Sequence, residues 1–288
     1  MDIGSNTTRL LVADVEDARL IEVATLREFT LLGSGAAEDG SIPHAKIVET
    51  AEAVAAQVDA ALRLGARLIT VVGTAVLRSA PNADELGAEI ERLTGFPLRV
   101  LSEEAEAELS FLGATTVADV VCNDRRVAVA DVGGGSSELA VGTAGTNPSW
   151  WHSIAIGSAA LARECISGDP PTGEEIARCR DRAAAAVRPL DPPPVDCALA
   201  VGGSATSLLA LAGERLDQGA LERALDLLAH VRCADVARDR ELDVRRVKLL
   251  PAGIAILAAI AGLLGVPLQV ARGGLREGVV LRLASAAD

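Results

Sequence analysis

Residues 131–139 read DVGGGSSEL, and residues 2–10 read DIGSNTTRL. Laid over each other without gaps, Asp2 meets Asp131, Gly4 meets Gly133, Thr7 meets Ser136 and Leu10 meets Leu139. The apolar tails LLVA and LAVG extend the match. Each copy reads as a strand that ends at an aspartate, a glycine turn, hydroxyl residues and a second strand. Glycine lets the backbone approach a ligand with no Cβ in the way. Successive turn N–H groups make a concave nest for an anion, and Ser or Thr hydroxyls add donors. An aspartate beside such a nest suits Mg²⁺ held against phosphate oxygens. Either copy alone is equally a plain β-hairpin; two copies in one context point to a polyphosphate clamped from both sides.

Composition narrows the function classes. With 288 residues, half of them hydrophobic, the chain has enough for one large or two modest domains with real cores. A net charge of −13 argues against a general nucleic-acid binder and against binding to anionic membranes. Aromatic residues are 2% with no tyrosine, so stacking platforms for strings of bases are not expected. Two of the 27 basic residues are lysines (Lys46 and Lys248), leaving 25 arginines to supply contacts to an anion. Arg245, Arg246 and Lys248 form a basic cluster that reads either as a polyphosphate path or as a solvated helix face. Cys122, Cys165, Cys179, Cys197 and Cys233 show no metal-ligand spacing and no signal peptide precedes them, so free thiols in a cytoplasmic protein are expected. Residues 249–268 carry no charge, but Pro251, Gly253, Gly262, Gly265 and Pro267 punctuate them. A buried helix over about 251–264 and a short strand fit better than a membrane span.

Short apolar strands alternate with helical patterns, which places the chain in the α/β class. ARLITVVG (66–73) and LRVL (98–101) read as buried strands. In the helix before the first of these, Ile47, Ala51, Val54, Val58, Ala61 and Leu62 share a face. EEAEAELSFLGA (103–114) is helical, and Thr172 and Glu175 sit at capping-box spacing at the head of another helix. The repeat implies two related domains, 1–117 and 118–288, joined near 114–125, with the last helix, about 274–288, packing back on the first. A strand like RRVAVA before Asp131 is expected before Asp2 as well, about five residues long. A third glycine site, AVGGSATSLLAL (200–211), sets Gly202, Gly203 and Ser204 between a strand and a helix, where free helix N–H groups attract phosphate.

The paired hairpins resemble those of the superfamily of actin, sugar kinases and acetate kinase. Within it the chain is similar to the Ppx/GppA family of exopolyphosphatases and guanosine pentaphosphate phosphohydrolases. Beside the two hairpins, the blocks that carry the likeness are GTAVLRSAPN (73–82), LSEEAEAELSFLG (101–113), VGGSATSLLA (201–210) and GGLREGVVL (273–281), in order. The resemblance implies two actin-like (ribonuclease H-like) domains with mixed sheets flanked by helices and an active site in the cleft between them. It implies Mg²⁺, or another divalent cation, as cofactor and inorganic polyphosphate or guanosine pentaphosphate (pppGpp) as substrate. It implies Glu106 as the base that takes a proton from the attacking water, and Arg78 as the guanidinium over the transferring phosphoryl group. Asp131, Glu138 and Asp2 would be the metal-side carboxylates. Gly133, Gly134, Gly135 and Ser136 would hold phosphate, opposed by Gly4, Ser5, Asn6 and Thr7, with Arg276 bracing the cleft.

Read without the resemblance, Glu106 is one of several acids on an exposed helix, and Arg78 a surface arginine near Asp84 and Glu85. The chain departs from the family pattern at Ala105, Glu108 and Ala160; Glu108 in particular is expected to raise the Glu106 pKa or to repel a polyanion. Polyphosphate hydrolysis is the leading reading and pppGpp hydrolysis the next. A related phosphotransferase and a non-catalytic nucleotide sensor or assembly protein are the other classes. Neither nucleic acid nor membrane is an expected partner, and the chain admits a homodimer without indicating one.

Overall fold

The computed structural model describes residues 1–17, 19–34, 39–117 and 125–286; Cys122 and residues 118–124 of the expected junction lie outside them. The first copy of the repeat folds as a hairpin of β1 (Asp2–Ile3) and β2 (Thr8–Glu16), followed by β3 (Arg19–Glu28). Helix α1 (His44–Arg63) leads to β4 (Val71–Gly73), α2 (Ala75–Ser79), α3 (Ala83–Thr94), β5 (Leu98–Val100) and α4 (Glu103–Val117). The second copy forms β6 (Arg126–Val132) and β7 (Ser137–Thr143), then β8 (Trp150–Ile154), α5 (Ser158–Cys165) and α6 (Gly173–Val187). After β9 (Cys197–Val201) come α7 (Gly202–Ala212), β10 (Arg215–Leu216), α8 (Gln218–His230), α9 (Cys233–Asp239) and α10 (Val244–Val247). Helix α11 (Leu250–Leu264), β11 (Leu268–Val270) and α12 (Leu275–Ser285) complete the described chain.

Two mixed sheets result, in the orders β3-β2-β1-β4-β5 and β10-β11-β9-β6-β7-β8. The repeat visible in the sequence is exact in the register of its strands. Asp2 pairs with Arg9 in the hairpin and with Val72 in the parallel neighbour β4. Adding 129 to each position gives Asp131, Glu138 and Val201, which pair in the same way. The turns share one closing bond as well: Gly4 N donates to Thr7 O at 3.0 Å, and Gly133 N to Ser136 O at 3.1 Å. Parallel neighbours require crossover helices, and these cover the sheets.

The apolar stripe of α1 (Ile47, Ala51, Val54, Val58, Ala61) packs on Ile3, Leu10 and Val12 of the first sheet. Leu62 leaves that stripe and is 50% exposed, since a residue adjacent to Ala61 is turned about a quarter of the way round the helix. In the second unit α11 is buried along most of its length among helices that include α5, α6, α7 and α8, which explains its uncharged sequence. No described helix is long and apolar enough to cross a membrane. The predicted capping box forms: Glu175 N donates to Thr172 Oγ1 at 3.3 Å, and Thr172 N to Glu175 Oε2 at 2.8 Å. Cys165, Cys179 and Cys233 are free thiols.

Two elements differ from expectation. Helix α4 reaches Val117, and its Ala107, Phe111 and Ala114 pack on Val127, Val129 and Ala140 of the second sheet. On another side its Leu109 meets Val72 of β4 and Leu275 and Val279 of α12, so α4 belongs to both cores. The strand expected over 66–73 is confined to Val71–Gly73. Among the described residues only Val71–Gly73 of this stretch pair with β1 or β5.

Candidate active site

The two turns meet at a cleft of about 150 Å³. Asp2, Gly4, Ser5, Asn6 and Thr7 form one wall, and Asp131, Gly133, Gly134, Gly135, Ser136 and Glu138 the other. At the tips Ser5 and Asn6 lie against Gly134 and Gly135, so the hairpins touch as well as face each other. Gly202 and Gly203, at the head of α7, also line the cleft. Gly202 has φ +86°, a left-handed backbone that brings it against Asp131 Oδ1, where a Cβ would collide. Ser204 does not line the cleft: it is buried, with its hydroxyl against Gly253 of α11.

Glu106 lies on the first turn of α4 and is 7% exposed. It is therefore not one of the solvated acids of that helix. Arg78 Nη1 donates to Glu106 Oε2 at 2.5 Å and to Leu101 O at 3.0 Å, so Arg78 pairs with the cleft acid rather than with Asp84 or Glu85. One turn after Glu106, Ser110 Oγ donates to Asp131 Oδ2 at 2.7 Å. Helical spacing of four residues puts both side chains on one face, so α4 positions Glu106 and braces the opposing carboxylate. Ser153 Oγ donates to Glu138 Oε1 at 3.0 Å.

The acids crowd one another. Burial pushes the Glu106 carboxyl up to about 7; its bond and charge contact with Arg78 pull it down, while Asp131 and Asp2 push it up. Glu108 has no part in this, because it points toward Arg282, with the two side chains 3.9 Å apart. Burial raises Asp2 and Asp131 as well, and lifts Glu138 well above the usual carboxylate range, helped by Glu106 and Asp131. Such strongly shifted acids gathered in one cleft make it the candidate functional site.

Arginine supplies the balancing charge, partly from positions the sequence reading passed over. Arg9, the partner of Asp2 across β1 and β2, lines the cleft, and burial lowers its pKa to about 10. The repeat held the signal: Arg9 aligns with Glu138, so one hairpin carries a cation where the other carries an acid. Arg246 also lines the cleft, lowered by burial to about 10, but its companions in the basic cluster turn elsewhere. Arg245 pairs with Asp243 at 2.8 Å and lies 3.6 Å over the Phe29 ring, and Lys248 borders a separate cavity. Arg276 lines the cleft and donates to Leu10 O at 3.4 Å. Arg163 crosses between the two halves, with Nη2 donating to Gly33 O at 2.9 Å.

Asp2 Oδ1 and Arg9 Nε are buried with no hydrogen-bond partner among the described residues. Buried polar atoms of that kind are rare, and water, an ion or a ligand in the cleft would satisfy these two. Among the described residues no three His, Cys, Asp or Glu side chains converge to cage a metal. Mg²⁺ needs no such cage: one or two carboxylates, water and substrate phosphates complete its shell. Asp2 and Asp131 fit that role.

Known proteins resemble the chain along most of its length. Exopolyphosphatase 1 of Mycobacterium tuberculosis is 26% identical over 310 aligned positions, covering 100% of this chain and 88% of that protein. An uncharacterized protein of Streptomyces coelicolor is 35% identical over 184 residues, 63% of this chain; the chain spans about half of that relative, 54%. The crystal structure of the Ppx/GppA family member from Aquifex aeolicus superposes with a TM-score of 0.83 at 26% identity, covering 100% of this chain and 97% of that one. The family model for Ppx/GppA phosphatases matches residues 11–287, and on that near-complete match the chain belongs to the Ppx/GppA phosphatase family.

Proposed function

We propose that the protein hydrolyses the terminal phosphoanhydride of inorganic polyphosphate, with Glu106 as general base. The observation that carries this reading is Glu106 itself. It is a buried acid lifted to about 7, held by Arg78 in a cleft walled by two anion-binding turns. A base with that pKa is well matched to neutral pH. Glu106 takes a proton from water as the water oxygen bonds to the terminal phosphorus. The bridging P–O bond breaks, its electron pair stays on the shortened chain, and orthophosphate leaves. Turn N–H groups of Gly134–Ser136 and Ser5–Thr7, with Arg9 and Arg246, would hold the non-bridging oxygens. Mg²⁺ held by Asp2 and Asp131, with Glu138 behind them, would offset phosphate charge.

Two features favour polyphosphate over pppGpp. The cleft, at about 150 Å³, is smaller than the roughly 300–1,000 Å³ pockets that enclose drug-sized ligands. Among the described residues no aromatic side chain lines the cleft, so a guanine would find no ring there to stack on. The deciding experiment is phosphate release from long-chain polyphosphate, pppGpp and ATP with Mg²⁺ titrated, comparing wild type with Glu106→Ala. Turnover of polyphosphate lost in the variant, with binding kept, supports the reading. Preferential release from pppGpp, or release that survives Glu106→Ala, sinks it.

A further inference from the structure

The outer edge of the first sheet is open. β3 stands at one end of the order β3-β2-β1-β4-β5, so β2 occupies one of its sides and no described strand the other. Eight of its ten residues are exposed, among them Ile21, Val23 and Leu26 at 46%, 46% and 43%. A long exposed edge with large apolar side chains is a template for a further strand. Solitary edges are usually blunted by charges or by a bulge. β3 has both, in an arrangement that favours pairing with its own copy.

Glu22 pairs with Ala13 and Ala24 with Val12, so Val23 is the extra residue of a bulge. In a regular strand Ile21 and Leu26, an odd number of positions apart, would point to opposite faces. Here Ile21 stands opposite Asp14 and Leu26 opposite Leu10, while β2 runs between those two without interruption. The extra residue therefore turns both apolar side chains to one face. Arg19 and Glu28, opposite Glu16 and Thr8, come to the same face by the same count. Glu22, Thr25 and Arg27, opposite Ala13, Leu11 and Arg9, share the other.

Beside this edge a second copy of β3 fits antiparallel, with the two-fold axis between Val23 and Ala24. Every residue of the strand then has a partner on its own face. Arg19 meets Glu28 at both ends, and Ile21 meets Leu26. Glu22 lies opposite Thr25 with Arg27 as its diagonal neighbour, so no charge faces its like. The next registers that keep the faces matched set Leu26 against Arg19 or Ile21 against Glu28, and leave end residues unpaired. We propose that β3 is a dimerisation edge, at which two copies of this chain pair antiparallel and join their first sheets into one. Charge complementarity along the whole strand selects a second copy over an unrelated strand, because each charged residue finds its opposite in the same sequence. The contact is two-fold, so pairing uses up the edge and assembly stops at two.

The test is sedimentation equilibrium of the 288-residue chain and its charge-reversal variants at micromolar concentration. Wild type should be a dimer. Arg19→Glu sets acid against acid at both ends of the pairing, and should raise the dimer Kd by about tenfold or more. Glu28→Arg should weaken the dimer similarly by setting cation against cation. The double variant, Arg19→Glu with Glu28→Arg, restores both pairs with their signs exchanged and should return the Kd close to the wild-type value. Within one chain Arg19 stands opposite Glu16 and Glu28 opposite Thr8, so damage to the hairpin itself would persist in the double variant instead of cancelling. A monomeric wild type, a dimer indifferent to both single reversals, or single variants that the double one does not rescue would each overturn the proposal.

Discussion

Glu106 is pulled in two directions, and its chemistry depends on the balance. Burial lifts the carboxyl to about 7, while the Arg78 guanidinium, 2.5 Å away, favours the charged form. As the base must be deprotonated to act, kcat/KM should rise with pH through about 7 and then level off. Arg78→Met removes the favouring contact, so the rising limb should move to higher pH in initial-rate measurements. A limb that stays in place would show that Glu106 does not set it. Glu106→Gln should cut kcat by roughly 10²–10⁴-fold, the usual share of a general base, with substrate binding retained in a filter assay. Glu106 was singled out as the proposed base only through the family pattern. Several acids crowd the start of α4, and nothing local separates the buried one from its solvated neighbours. Arg9 was legible from the repeat alone, by carrying the alignment to Glu138.

At the scale of elements, the cleft depends on how closely α4 approaches α12. A Cβ on Gly113 would strike Gly274 O, and one on Gly278 would strike Leu109 O, so the two helices cross backbone to backbone. Gly278→Ala should therefore cost about 1–3 kcal/mol by overpacking, and lower Tm by roughly 2–4 °C per kcal/mol. It should also reduce turnover, because α4 carries Glu106 and Ser110. Thr172→Ala is the contrasting case: loss of the cap on α6 should cost about 1 kcal/mol and leave kcat unchanged. Calorimetry and initial rates on the two variants separate cleft geometry from general stability. The Thr172 cap was readable from four residues of sequence. The α4–α12 crossing was not, because small residues on two helices 160 positions apart, Gly113 and Gly273 with Gly274 and Gly278 around them, reveal no contact until the fold is formed.

Across the whole molecule, the buried acids tie stability to pH. Asp2, Glu106, Asp131 and Glu138 all have raised pKa values when folded, mainly through burial. For a carboxyl raised on folding, the unfolded chain loses its proton first, so stability falls as pH rises past the unfolded value and stops falling above the folded one. For Glu106 that window runs from 4.5 to about 7. Without ligand, the urea midpoint should be lower at pH 8 than at pH 5, and Glu106→Gln should flatten part of the difference. Mg²⁺ with a phosphate chain should restore the midpoint at pH 8, since a ligand of the folded state stabilises it by mass action. A midpoint insensitive to pH between 5 and 8 would mean that the four acids are better solvated than their burial implies.

The sequence by itself determined the α/β class, the duplicated hairpin and the register of its turns. These follow from local pattern: alternation, Asp-x-Gly spacing and hydroxyls repeat within nine residues and need no distant partner. Tertiary structure alone decided which side chains share the cleft. It buried Glu106, turned Arg78 onto it, brought Ser110 to Asp131 and Arg246 to the turns, and sent Ser204 into the second core. Solvation and charge coupling depend on what two sheets and α4 place side by side, and that proximity is written in no single stretch of the chain.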